Sequence, residues 1–312
     1  MKLLLNYFRL YFSTQFHWLT HFVVILFIFG VIGINEYFDI FRKFVQLPEH
    51  SIGRIFRYVL MNLLAFIGPV ILISVFQTKD KIIANKKYLI YGFLGVLLIS
   101  LDSSYYMMKY LDSMISHEPG YGFYYSCVSN LGSLFSIVIP LGIIYLTTKY
   151  FKPERYGINI NMVSIRSYLI LVLFLIPIVF IAASGEDFLR YYPSYKYYKI
   201  TITGLSEWMK VVLFESCYGL DFFSVELMFR GYMVVALSRF AGKDVILPMI
   251  SLYAVLHFGK PMLEIISSIF GGFALGVLSY QSRNIYGGLI VHLGMAWGME
   301  LAAFLLLKWS FG

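Results

Sequence analysis

Arg166-Ser-Tyr-Leu-Ile-Leu-Val-Leu-Phe-Leu-Ile-Pro-Ile-Val-Phe-Ile-Ala-Ala-Ser184 carries a charge only at its first residue. A helix crossing a bilayer needs about 20 mostly apolar residues, because it rises about 1.5 Å per residue through about 30 Å of hydrocarbon. This stretch meets that requirement. Eight further segments read the same way, at 18–38, 56–77, 88–111, 123–148, 209–237, 245–258, 263–281 and 285–308. The one at 245–258 is short for a full crossing and is expected to be tilted, broken or re-entrant. Backbone in lipid must satisfy its own hydrogen bonds. The chain therefore reads as all-α, a polytopic transmembrane helix bundle with eight or nine membrane segments.

Composition agrees. Of 312 residues, 59% are hydrophobic and 13% charged, against about 25% charged in a soluble domain. The net charge is +8, but the basic residues are scattered through short loops. Anionic lipid headgroups are the partners for charges so placed, and nucleic acid is not, since no basic stripe stands clear of the apolar segments. Cys127 and Cys217 lie in apolar segments without metal-ligand spacing. Residues 1–16 interleave Lys2 and Arg9 with bulky apolar side chains and lack a small-residue cleavage site, so they read as an interfacial helix. Pro48, Pro119-Gly120, Pro153, Pro193 and Gly259-Lys-Pro261 mark loops, while Pro69, Pro140 and Pro177 fall inside spans, where kinks are expected. Lys and Arg nearly balance between the two sides. Lys79, Lys81, Lys86 and Lys87 tip the N-terminus toward the cytoplasm of a multi-pass protein in a bacterial cytoplasmic membrane.

Two regions differ in character. Residues 1–204 form bulky, aromatic membrane helices with no role assigned by their sequence, whereas 205–312 concentrate Glu, Arg, His and small residues. In Ser224-Val-Glu-Leu-Met-Phe-Arg-Gly231, Glu226 and Arg230 are four apart and share a helical face. Taken alone, they also read as a structural ion pair. Glu215 sits three turns earlier on nearly the same face, and Asp221 points elsewhere. His257 ends the seventh segment, and His292 precedes Glu300 by two turns, close enough in pattern for a His–Glu pair. Each histidine alone is more often a hydrogen-bonded core residue than a catalyst.

Together, one Glu, one Arg and two His on three consecutive membrane segments form a candidate site, because ionisable groups at bilayer depth are costly. A carboxylate and an imidazole can take a proton from water and aim it at a carbonyl. A second imidazole can stabilise the oxyanion. Glu226, His257 and His292 are also candidate ligands for a divalent metal, although the motifs require none and no H-E-x-x-H is present. Gly271, Gly272 and Gly276, with Ser267 and Ser268, offer a surface for close helix contact.

The order of these motifs resembles the CPBP family of intramembrane proteases, which includes CAAX prenyl proteases and bacteriocin-processing (Abi) proteins. That family carries Glu-Glu-x-x-x-Arg, Phe-x-x-x-His and His-x-x-x-Asn or Asp on successive helices. The corresponding stretches here are Val225-Glu-Leu-Met-Phe-Arg230, Tyr253-Ala-Val-Leu-His257 and His292-Leu-Gly-Met-Ala296. The resemblance covers about 205–308. It implies that His257, with the family's first Glu, activates water and that His292 steadies the oxyanion, with Glu226 the candidate to assume the base role and Arg230 and Tyr253 in support. It departs at Val225, where the family has the first Glu, and at Ala296, where it has Asn. Glu264 or Glu300 is the candidate for the missing carboxylate. Three readings follow: an intramembrane endopeptidase with Glu226 and His257 activating water and His292 polarising the carbonyl; an inactive pseudoprotease binding a membrane peptide, lipid or partner; and an ion-coupled transporter. A membrane-associated peptide or protein is the expected substrate. A prenylated one is implied only by the family's name, since bacteria are not expected to prenylate C-terminal Cys motifs.

Overall fold

The computed structural model describes residues 1–46, 51–77, 82–106, 108, 113–114, 120–159, 164–194 and 204–310. Its main helices are α1 (Lys2–Thr14), α2 (Trp18–Phe38), α3 (Ile52–Phe76), α4 (Lys86–Ser103), α5 (Tyr121–Thr147), α6 (Ile165–Ala183), α7 (Glu186–Tyr191), α8 (Glu207–Glu226), α9 (Ile246–Val255), α10 (Met262–Ser282) and α11 (Tyr286–Ser310). Polar side chains start several of them. Ser51, Asn85 and Ser206 accept the backbone N–H three residues on, from Arg54, Tyr88 and Met209 respectively, satisfying donors that a helix start leaves orphaned. Pro48, Pro119, Lys79, Lys81 and most of the expected 88–111 segment beyond Tyr106 lie outside the described residues.

Among the described residues, α2, α3, α5, α6, α10 and α11 are long and apolar enough to cross a membrane. The others fall short for readable reasons. Helix α4 carries Lys86, Lys87 and Asp102, and α8 carries Glu207, Lys210, Glu215, Asp221 and Glu226. Helix α9 has ten residues, all of them buried, so it is enclosed by protein rather than lipid. On α6, Leu169, Leu173, Phe174, Ile178 and Ile181 are all at least half exposed. Such an apolar band suits a lipid solvent and not water. This is an integral membrane protein with a helical bundle.

Pro69 and Pro177 sit inside α3 and α6. Pro140 follows a π-helical turn at Leu134–Val138 within α5, where the missing N–H loosens the ladder to an i→i+5 pattern. Residues from both sides of position 204 share one buried apolar cluster, including Tyr11, Val24, Phe66, Tyr88, Met228, Tyr232, Met249 and Ile285. Gly272 and Gly276 of α10 lie against Tyr253 and Met249 of α9, giving the small-residue contact anticipated there, whereas Gly271 faces open space.

Candidate active site

Glu226 ends the regular part of α8, and the next ten residues, Leu227–Ala236, continue as a π-helix buried along its whole length. Widened turns of this kind recur at functional sites. Here the change falls immediately after the acidic residue, so Arg230 belongs to the wider turn. Arg230 Nη1 stands 3.0 Å from Glu226 Oε1, and neither side chain has any exposed surface. The contact is an ion pair without hydrogen-bond alignment, and the guanidinium has no aligned partner among the described residues. Its carbon lies 4.5 Å from the ring centre of Tyr253, so a cation–π contact adds to the pairing.

The same Glu226 Oε1 receives His292 Nδ1 at 2.9 Å. A carboxylate only accepts, so Nδ1 carries the proton and the neutral ring presents a lone pair at Nε2. Tyr253 O–H donates to that Nε2 at 3.2 Å. His257 Nδ1 lies 2.7 Å from the Tyr253 carbonyl. A carbonyl also only accepts, which leaves His257 Nε2 as a lone pair that no described residue takes. His257 is half-buried, and His292 keeps 17% of its side chain exposed. The site is therefore a chain, Arg230–Glu226–His292–Tyr253, with His257 one turn beyond Tyr253 and open at Nε2.

Residues 220–298 match the family described as Rce1-like, type II CAAX prenyl endopeptidase. This segment resembles the CAAX-protease family. The match begins in α8 and ends in α11, so it takes in every helix that contributes to the site. No curated protein and no solved structure matches the chain.

Within this CAAX-protease-like segment several expectations change. His292 does not pair with Glu300. Its partner is Glu226, because α8 and α11 cross there while Glu300 lies two turns further along. Glu300 Oε1 instead accepts the backbone N–H of Ser194 at 2.8 Å. Glu264 is held by Lys260 Nζ at 2.6 Å and by the Tyr192 hydroxyl at 2.9 Å. Neither carboxylate joins Glu226 and His292. Asp221 accepts from the Ser133 hydroxyl, turned toward α5. Val225 is half-buried against the core, and Ala296 is fully buried.

Glu226, His257 and His292 were the candidate metal ligands. Among the described residues no three His, Cys, Asp or Glu groups converge in a metal-holding arrangement. Glu226 and His292 Nδ1 are turned on each other, His292 Nε2 is engaged by the Tyr253 hydroxyl, and only His257 Nε2 is left as a lone pair among the described residues.

Gly288 escaped the motif reading. A Cβ there would run into Glu226 Oε2, so α11 approaches the acid closely only because this residue is glycine. A Cβ at Gly231, likewise, would come within 2.7 Å of the Tyr156 carbonyl, which explains glycine after the motif arginine. Phe222, one turn before Glu226, lays its ring 4.4 Å from that of His292. Small residues and lone aromatics carry no chemical signal in a membrane sequence, so Gly288 and Phe222 did not stand out.

Proposed function

We propose that the protein is an intramembrane endopeptidase that cuts a membrane-associated peptide, with His257 as the base. His257 Nε2 takes a proton from water as the oxygen attacks the peptide carbonyl. His257 then returns that proton to the leaving amine as the C–N bond breaks. The Tyr253 hydroxyl, turned from His292 Nε2 toward the substrate, donates to the oxyanion. His292, its Nδ1–H held by Glu226, fixes the Tyr253 side chain in place, and its Nε2 lone pair takes the phenol hydrogen bond back once the oxyanion collapses. Glu226 thus acts through His292, because a carboxylate sealed from solvent and shared with Arg230 is badly placed to reach water. The observation carrying this reading is His257 itself, its Nδ1 fixed by the Tyr253 carbonyl and its ring centre 4.6 Å from that of Tyr253.

The same burial of Glu226, with Val225 where the family has its first Glu, favours a second reading, a pseudoprotease that binds peptide without cutting it. Purified protein in lipid nanodiscs, offered a pool of membrane peptides and read by mass spectrometry, separates the two. Cleavage lost in His257→Ala supports the endopeptidase. A product pattern indifferent to His257 leaves the binding role.

A further inference from the structure

Between α2 and α3 lies a cleft of about 430 Å³, walled by Phe27 and Ile34 on one side, Leu60 and Leu64 on the other, and Phe258, among others. Ile34, Leu60 and Leu64 are each more than half exposed, so the cleft opens sideways toward lipid. One charge enters it. Arg57 reaches in from α3, its Nε buried without a hydrogen-bond partner and its guanidinium carbon 5.8 Å from the ring centre of Phe44. One turn earlier, Arg54 is only 5% exposed, and its Nε and Nη1 lack hydrogen-bond partners too. Its guanidinium carbon lies 5.8 Å from the ring centre of Tyr58, a neutral neighbour.

Both arginines stand in the first two turns of α3, whose first turn carries no acid. The helix dipole is positive at that end, which favours an anion there. Among the described residues neither arginine has a carboxylate partner. Asp39 is taken by Arg42, and Glu36 by the Asn35 amide. Glu49 lies outside the described residues. A guanidinium withdrawn from water calls for an anion, and lipid-facing apolar walls call for an apolar chain attached to that anion. Arg57 and Ile71 both line the cleft, fourteen residues apart, about 21 Å along α3. One leaflet takes up about 15 Å, half of a hydrocarbon core of about 30 Å. The cleft is therefore long enough for an acyl chain whose head lies at Arg57.

We infer that this cleft binds one acyl chain of an anionic phospholipid, with the phosphate on Arg57 and Arg54 adding its charge from the turn before. A zwitterionic head brings its own cation to the phosphate and so gains less from the two arginines. The inference does not depend on peptide cleavage, although Phe258 sets the bound chain against the turn that carries His257.

The test uses the full chain in neutral maltoside detergent, offered equal amounts of palmitoyl-oleoyl phosphatidylglycerol and palmitoyl-oleoyl phosphatidylcholine and read by native mass spectrometry. The unaltered protein is expected to retain the first about fivefold more than the second, the gain typical of one basic side chain at an anionic surface. The preference should vanish in Arg57→Gln and persist in Arg42→Gln, whose exposed side chain pairs with Asp39. Leu64→Trp, which fills the cleft without altering a charge, should abolish it as well. Equal retention of the two lipids by the unaltered protein overturns the proposal, whether or not the variants fold, and gives Arg57 to an acid of the chain such as Glu49. A preference that survives Leu64→Trp also overturns it, because the lipid then sits on the basic surface at large. So does displacement of the phosphatidylglycerol by an apolar peptide with a free C-terminal carboxylate, bound through Arg57, which assigns the cleft to a peptide.

Discussion

At the residue scale, Glu226 and Arg230 illustrate how burial changes the meaning of a charge. Both have no exposed surface. A charge stranded there by loss of its partner costs about 3–5 kcal/mol, whereas replacing both by apolar groups is often neutral. Glu226→Gln is therefore expected to lower the unfolding temperature in detergent clearly more than the double change Glu226→Leu with Arg230→Met. Equal losses would show that the pair is not coupled. Tyr253 makes a sharper claim about chemistry. Losing one oxyanion donor costs about 100-fold or more in kcat, so Tyr253→Phe should lower kcat by about that factor with KM little changed. An unchanged kcat would mean that the hydroxyl only packs against His292. The resemblance is to a family with Phe at this position, so the Tyr253 hydroxyl is an addition to the family motif.

At the element scale, the approach of α8 to α11 depends on one missing side chain. Gly288→Ala places a methyl group against Glu226 Oε2 and must displace the carboxylate or the helix. A displacement of about 1 Å near a reacting centre can cost about 100-fold in rate. The variant is expected to lose about that much peptidase activity, with partial recovery when Glu226→Asp shortens the acid. No recovery would point to a general loss of helix packing. The identities and order of Glu226, His257 and His292 were readable from their spacing and the rarity of ionisable groups in apolar segments. The π-helical course of Leu227–Ala236 was not. Nothing in a run of mostly apolar residues distinguishes i→i+4 from i→i+5 winding when every side chain is buried.

At the scale of the whole molecule, residues 1–204 supply part of the same core that encloses the site. Tyr11, Val24, Phe66 and Tyr88 pack in one cluster with Met228, Tyr232 and Met249. A fragment of residues 205–312 expressed alone is expected to aggregate or elute heterogeneously in size-exclusion chromatography, because its buried π-helix and α9 would face lipid. A monodisperse, helical fragment would make the earlier helices accessory.

The sequence by itself determined the solvent and the fold class, since apolar runs near twenty residues long permit little besides membrane helices. It also determined which ionisable residues to watch, because each is costly in such a run. Only the tertiary structure decided their partners. His292 could have met Glu300 on its own helix or Glu226 on another, and the crossing of α8 and α11 at Gly288 chose Glu226. Partner choice depends on where helices cross and how closely, and that is a property of packed surfaces that spacing along one chain does not encode.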